Sequence, residues 1–470
     1  MNSQNQASSS EAVVEESLYE VRKKIYARSV SGWFATWRWI FVILTQLVYY
    51  GFCWLPWNGR QAVLFDLVER KFYIFGLVFW PQDVFFLAIL LIISAYALFL
   101  FTAIGGRLWC GYACPQTVYT SLFMWLERIF EGDRNARMKL DQAPMGGEKL
   151  LRRSGKILAW SLFSLWTGFT FVGYFTPIKT LWAEFWSITL GPWEFFWVFF
   201  YGAFTYLNAG HMREQVCKYM CPYARFQGVM FDPDTLIITY DAERGEPRGT
   251  RSKKVDYKAQ GMGDCVDCEL CVAVCPTGID IRKGLQYECI GCAACIDACD
   301  QVMDKMEYPK GLIRYSTEHA MEHHWTWRQI VNHIARPRVF LYTGILGLIC
   351  IAFVWGLATK PSLRVDVIRD RATLAREVED GLIENVYRLQ VMNISETAQH
   401  YSLSVTGMDG VRLIGEKEFD VPAASTKPYT ISVRVPAESG KKGSNQIFFD
   451  LKSSSDTNIA VHEKASFIQP

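Results

Sequence analysis

The sequence predicts a multi-domain protein: an α-helical membrane bundle of about five spans, a cysteine-rich α+β domain inserted before the last span, and an all-β sandwich at the C-terminal end. Three observations carry this prediction. Residues 39–58, 84–105, 157–178, 195–210 and 339–359 contain no Asp, Glu, Lys or Arg, and a helix needs about 17–25 apolar residues to cross a bilayer. Of the 14 cysteines, all but Cys53 and Cys350 fall in clusters between residues 110 and 299. From residue 363 onward, short alternating runs such as "YRLQVMNI", "HYSLSVTGM", "YTISVRVP", "NQIFFDLKS" and "IAVHEKASFI" are separated by polar turns, the pattern of a sandwich.

Composition agrees with a chain that is part membrane and part aqueous. Half of its 470 residues are hydrophobic, 17 are tryptophan, and the net charge is only +2, which does not point to a nucleic-acid partner. Trp37, Trp54, Trp57, Trp80, Trp182, Trp193 and Trp355 fall near span ends, where an aromatic belt is expected at the lipid–water interface. Residues 1–17 are polar and low in complexity, are expected to be disordered, and lack the apolar core of a signal peptide. No glycine-rich dinucleotide fingerprint or phosphate loop is present.

Orientation follows from the basic residues. Five precede the first span and nine lie between Arg107 and Lys156, against three in 59–83 and Lys179 alone in 179–194. Cytoplasmic loops carry the excess, so the N-terminus and the cysteine clusters face the cytoplasm and the C-terminal domain the periplasm. The resulting division is a cytoplasmic segment 1–38, a four-span region 39–210, a cytoplasmic region 211–338, a fifth span 339–359 and an outer domain 360–470. Cys53 and Cys350, inside spans, read as small apolar residues.

The strongest chemical signal is a pair of runs, "CVDCELCVAVCP" at 265–276 and "CIGCAACIDACD" at 289–300. Both have the spacing C-x2-C-x2-C-x3-C, in which three cysteines hold one [4Fe–4S] cluster and the fourth reaches across to a second. Cys265, Cys268, Cys271 and Cys299 are thus expected to hold one cluster and Cys289, Cys292, Cys295 and Cys275 the other, in a ferredoxin-like α+β domain over about residues 255–310. Eight thiolates exceed the four that a zinc site takes. The second run ends in Asp300 where the first ends in Pro276.

A second repeat flanks this domain. Arg107, Cys110, Cys114 and Pro115 in "GRLWCGYACP" are echoed by Arg213, Cys217, Cys221 and Pro222 in "REQVCKYMCP", each at the end of an apolar run. If spans two and four pack side by side, the four thiols meet at the cytoplasmic interface. They could hold a third cluster, or copper, since soft thiolates select Cu(I). Met212, Met220 and His211 lie nearby but read better as packing or surface residues.

With "GRLWCGYACPQTVYTSLFMWLERIFEGDRNARMKLD", "REQVCKYMCPYARFQGVMFD", the double cysteine run and "YPKGLIRYSTEH", the chain resembles the cytochrome c oxidase accessory protein family known as CcoG, FixG or RdxA, from the first span to the C-terminus. The resemblance implies a bacterial inner-membrane protein that reduces Cu(II) to Cu(I) during assembly of cbb(3)-type cytochrome oxidase. It further implies copper handling at Cys110, Cys114, Cys217 and Cys221, and an immunoglobulin-like C-terminal domain. Partners would be the bilayer, oxidase assembly factors, copper transporters or chaperones and an unnamed electron donor; a homodimer stays open.

Two alternatives stand beside this reading: a quinol-oxidising membrane ferredoxin feeding a periplasmic or membrane reductase, and a non-enzymatic copper chaperone or assembly scaffold. His319 and His323 in "TEHAMEHHWTWRQIVNH" stand one helical turn apart, a spacing that can bind metal, though a basic interfacial helix explains the stretch better. The charged stretch "GEPRGTRSKKVDYKAQGMGD" before Cys265 reads as a linker or docking loop.

Overall fold

The computed structural model describes residues 24–254, 256–370, 375–378, 381–454 and 459–470; the disorder expected of residues 1–17 lies outside them. Helix α1 (Trp33–Gly51) is the first regular element among the described residues. It is followed by a hairpin, β1 (Pro56–Trp57) with β2 (Arg60–Gln61), and a three-stranded meander, β3 (Val63–Asp66), β4 (Lys71–Ile74) and β5 (Leu77–Phe79). The first uncharged stretch therefore stops being helical well before residue 58. Pro56 cannot continue a helix, and Asn58 and Gly59 both have positive φ, 44° and 77°, as a tight hairpin turn requires.

Next come α2 (Val84–Gly105), α3 (Leu108–Tyr112), α4 (Pro115–Glu131), α5 (Arg134–Gln142), α6 (Gly147–Val172), α7 (Ile178–Ser187) and α8 (Pro192–Thr205). Helix α8 widens into π-helix over Tyr206–Met212, a second π turn spans Val216–Met220, and α9 (Pro222–Met230) follows. The main helix pairings are α6 with α8 and α2 with α15 (Pro337–Ala358). Gly168 makes the first possible: a Cβ there would lie 2.2 Å from the Val198 carbonyl oxygen, so only glycine permits this approach. Spans two and four do not pack side by side; α2 lies against α15 and α9 instead.

Two helices, Pro81–Gly105 and Pro337–Ala358, are long and apolar enough to cross a membrane, with mean hydropathies of 2.8 and 2.2. The other three expected spans are helical but shorter or more polar: α1 contains Arg38 and Gln46, α6 begins "GEKLLRRSGK", and α8 has 14 residues. The number of spans thus goes beyond what length and composition establish.

Between α9 and α15 lies the cysteine-rich domain. A two-stranded sheet, β6 (Ile237–Tyr240) with β7 (Ile313–Ser316), backs α10 (Ala242–Gly245), α11 (Leu270–Ala273) and α12 (Ala294–Met306). In the charged stretch before Cys265, Arg251 donates to the Gly263 carbonyl at 2.6 Å and stacks on Tyr257, and Asp264 pairs with Arg244 at 2.5 Å, while Lys253, Lys254 and Lys258 are exposed. Two short helices, α13 (Glu318–Glu322) and α14 (Trp327–Ile334), lead to α15.

The C-terminal domain is a two-sheet sandwich. One sheet has the order β12 (Arg412–Ile414), β14 (Ser425–Pro436), β10 (Leu382–Asn393), β8 (Leu363–Arg369), with β9 (Arg376–Val378) also on β10; the other runs β13 (Glu418–Val421), β11 (Gln399–Thr406), β15 (Gly443–Ser453), β16 (Ala460–Gln469). Alternate residues face inward, Tyr387, Leu389 and Val391 meeting Ile447, Phe449 and Leu451, all 0% exposed. This period of two is the one read from the sequence.

Asp83 anchors the sandwich to the helices. Its fully buried carboxylate lies 2.7 Å from Lys360 and 3.0 Å from Arg364 and accepts from the Trp80 N–H. Replacing Asp83 by alanine strands the buried Lys360 ammonium, and losing one partner of such a pair costs about 3–5 kcal/mol. Thermal unfolding of the detergent-solubilised D83A variant is expected to show a clearly lowered midpoint. An unchanged midpoint would place the anchor elsewhere.

A candidate metal centre built from three cysteine clusters

The two long cysteine runs wind alike. Asp267 and Glu269 in the first have φ of 52° and 54°, and Gly291 and Ala293 at the matching positions of the second have 68° and 57°. Left-handed residues on both sides of the middle cysteine make a concave turn whose N–H groups can face an anionic sulfur-rich group. Each turn feeds a helix, α11 or α12. After Cys275, Pro276 forbids further helix; after Cys299, Asp300 accepts from the Gly311 N–H at 3.0 Å while α12 continues to Met306.

Cys265, Cys268, Cys271 and Cys299 line one small cavity. Cys275, Cys289, Cys292 and Cys295 line a second, which Cys271 also touches. Burial pushes the thiols of Cys271, Cys289 and Cys299 up to about 12 and raises Cys275 and Cys295 too, neighbouring thiols adding to the effect. Among the described residues no three Cys, His, Asp or Glu side chains converge on a point that would hold one ion. Thiols spaced around a void suit a polynuclear iron–sulfur group, not a single tetrahedral Zn²⁺.

The CxxxCP repeats bring four more thiols together. In both, proline occupies the first position of a helix and the preceding cysteine is its N-cap: Cys114 for α4 and Cys221 for α9. Proline is pre-organised for that position, and the capping thiol sits where free N–H groups and the helix dipole favour a thiolate. Accordingly the N–H groups of Thr117 and Gln116 favour the thiolate at Cys114, although burial outweighs them and raises it. Cys110 lies within α3 and Cys217 within the second π turn. Burial pushes them up to about 11 and about 12, Cys114 and Cys221 raising both further.

This thiol group abuts the second run. A Cβ on Gly111 would lie 2.8 Å from both the Cys292 Cα and the Gly291 carbonyl oxygen, so the spacer between Cys110 and Cys114 is in backbone contact with a cysteine of the second cavity. Cys110 packs against the cluster formed by Cys292, Ile290 and Ala298. Arg107 donates to the backbone carbonyls of Tyr287 and of Ala224, the latter at 2.6 Å, joining α2, α9 and the second run. Its counterpart Arg213 does something else, pairing with Glu127 at 3.0 Å over the Trp160 ring.

Other residues singled out from the sequence are accounted for elsewhere. His319 is held by Asp234, Nδ1 to Oδ1 at 2.8 Å, and His323 bonds the His319 carbonyl, so the pair does not converge on an ion. His211 packs with Tyr206 and Trp160, and Cys53 is fully buried with its thiol on the Tyr50 carbonyl. Cys350 lies on α15, half-buried. Sequence reasoning missed Gln227, 0% exposed, which accepts from the Cys110 thiol at 3.4 Å. It also missed Asp297, whose carboxylate accepts from the N–H groups of Phe34 at 3.2 Å and Ala35 at 2.7 Å.

Comparison with known proteins places this geometry. A 4Fe-4S dicluster profile matches residues 212–318, a 4Fe-4S binding profile residues 87–132, and a profile of the immunoglobulin-like fold at the C-terminal end of FixG residues 353–470. The chain is 38% identical to nitrogen fixation protein FixG of Rhizobium meliloti, over 86% of this chain and 83% of that one. It is likewise 38% identical to protein RdxA of Cereibacter sphaeroides, over 93% and 94%. A solved FixG-related protein from Vibrio parahaemolyticus, 26% identical, covers 23% of this chain and 96% of its own with a TM-score of 0.21.

The contact at Gly111 can be tested directly. G111V pushes a branched side chain into the Cys292 backbone and is expected to lower iron by roughly half, about four of eight atoms per chain, with a matching loss of visible absorption. G344A, in α15 with nothing within 4 Å of an added Cβ, serves as control. Full iron in both variants would mean that the second run tolerates displacement.

Proposed function

The chain belongs to the FixG/RdxA family of iron–sulfur electron-transfer proteins, and on that premise we propose that it is a membrane-bound cupric reductase supplying Cu(I) for assembly of a cbb(3)-type cytochrome c oxidase. The observation that supports this most is the gathering of Cys110, Cys114, Cys217 and Cys221 into one thiol group in backbone contact with the second cysteine run. In this reading Cys265, Cys268, Cys271 and Cys299 hold one [4Fe–4S] cluster and Cys289, Cys292, Cys295 and Cys275 the other. Bound there, the clusters supply one-electron transfer.

The chain's own residues do the rest. Arg107 fixes α2 against the second run, and Gly111 lets the two cysteine sets touch. The four thiols take Cu(II) as substrate, and soft sulfur favours the reduced ion once it has accepted an electron. More than two of them can share one copper ion only by drawing together, since they do not converge in the resting arrangement. Cu(I) then leaves by ligand exchange to a thiol carrier. The protein lies in the inner membrane with five spans, cytoplasmic clusters and a periplasmic sandwich; oxidase assembly factors and copper carriers are its partners.

A second reading rests on a specific observation. The 4Fe-4S binding profile over residues 87–132 includes Cys110 and Cys114 but none of the eight cysteines of the long runs, which favours a third cluster at the paired CxxxCP.

Replacing Cys110, Cys114, Cys217 and Cys221 together by serine separates these readings. The copper site predicts about eight irons retained, with Cu(I) binding and Cu(II)-dependent reoxidation lost; a third cluster predicts a loss of about four irons. Unchanged copper reduction would move the copper site elsewhere. Separately, C265S and C289S are each expected to lose iron and visible absorption while still inserting in the membrane, and full iron retention would refute the ligand assignment. A periplasm-dependent reporter should be active after residue 470 and silent near residue 260, and the reverse result would invert the topology.

A further inference from the structure

The helical region contains a cleft of about 440 Å³ between α1, α4, α6 and the end of α8. Its walls are mostly apolar and aromatic, among them Phe171, Tyr201 and Phe204, and no Asp, Glu, Lys, Arg or His lines it. Its polar groups are hydroxyls and amides, all of them neutral. The Gln46 side-chain oxygen is buried without a hydrogen-bond partner, and the Tyr119 hydroxyl faces Gln46, Thr167 and Tyr50. Asn208 lies in the π-helical stretch, and such stretches often mark functional sites. An apolar cleft with a few convergent neutral polar groups is the usual form of a small-molecule site, and polar groups at this depth are costly unless used.

Phe204 lines the cleft yet is 57% exposed on the apolar outer surface, so the mouth opens where lipid lies. Trp109, Ala113 and Pro115, the immediate neighbours of Cys110 and Cys114, also line the cleft. We propose that this cleft binds a lipid-soluble quinol as the electron donor. An uncharged lining offers no recognition of phosphate or carboxylate, which argues against a phospholipid headgroup or a nucleotide. A quinol ring would lie among the aromatic walls, donate a hydroxyl to the free Gln46 oxygen and leave its isoprenoid tail in the bilayer. The reaction balances as one quinol and two Cu(II) giving one quinone, two Cu(I) and two protons released to water. The proposal rests on the cupric-reductase reading for its acceptor only.

The test uses the full-length, iron-loaded protein in lipid nanodiscs. Decylubiquinone should quench tryptophan fluorescence saturably, and an azidoquinone should crosslink to peptides containing Gln46, Trp109 or Tyr119. Q46L, which removes the acceptor, and A209F, which fills the cleft, should each raise the dissociation constant roughly tenfold or more, with iron content reporting intact folding. If A209F fails to fold, Q46L decides. Decylubiquinol should also bleach the visible absorption of the wild type. Absent or non-saturable binding, crosslinks elsewhere, or an unchanged Q46L dissociation constant would overturn the quinol site. Dithionite-reduced protein reoxidised by Cu(II) would then leave the copper reading standing, whereas quinol binding and bleaching without reoxidation by Cu(II) would keep the quinol site and sink the copper reading.

Discussion

The carboxylate of Asp297 couples the iron–sulfur domain to the helical region. The first turn of α1 has N–H groups without intrahelical partners, and its own N-cap, Gly32, supplies no side chain to satisfy them. Asp297 does so from 262 and 263 residues away, and a Cβ on Gly32 would sit 2.4 Å from that carboxyl group. An acidic cap favours a helix N-terminus by about 0.5–2 kcal/mol. Its place in the chain matters more than this energy. Asp297 lies between Cys295 and Cys299, which line different cavities, so seating the cap also positions α12 with both of them. Arg107 works from the opposite side, holding the second run to the end of α2.

The paired CxxxCP motifs are alike in sequence but not in employment. Cysteine as N-cap and proline after it are repeated faithfully, because both follow from local helix chemistry. The arginines diverge according to what each repeat faces. Arg107 meets backbone carbonyls of the iron–sulfur domain. Arg213 joins Arg137 and Lys156 around Glu127, where burial works to raise the carboxyl group but the three cations outweigh it and hold it below the usual carboxylate range. One repeat thus couples the thiol centre to its neighbour, and the other locks α4 and α6 beneath it.

This division also explains what the sequence disclosed. Local chemistry was legible: cysteine spacing, proline after cysteine, the period-two strands of the sandwich, and uncharged stretches that are helical over most of their length. A boundary set by a turn is not legible in charge: the uncharged stretch 39–58 runs on through Pro56 and Trp57 to Asn58, which belong to the hairpin. In residues 245–264 the charge reads correctly as solvent at Lys253, Lys254 and Lys258, which are exposed, whereas the bonds of Arg251 to the Gly263 carbonyl and of Asp264 to Arg244 have no sequence signature. The contacts that assemble the site had no sequence signature. Gly111 against Cys292, Asp297 on α1 and Gln227 on Cys110 join residues more than a hundred positions apart, and each is an ordinary residue in an ordinary local context.

Burial of the thiol centre has a further consequence for how it must work. With Cys110 and Cys217 pushed to about 11 and about 12, these thiols are protonated near neutral pH when no metal is bound. Each thiolate ligand formed from them releases a proton, so metal uptake is coupled to proton loss and weakens as pH falls. At Cys114 the N–H groups of Gln116 and Thr117 in the first turn of α4 act in the opposite sense and favour negative charge. A centre that resists charge when empty and accepts it through a preset helix end exposes little reactive thiolate in its resting state. It therefore reserves its nucleophilic sulfur for a metal able to displace the protons.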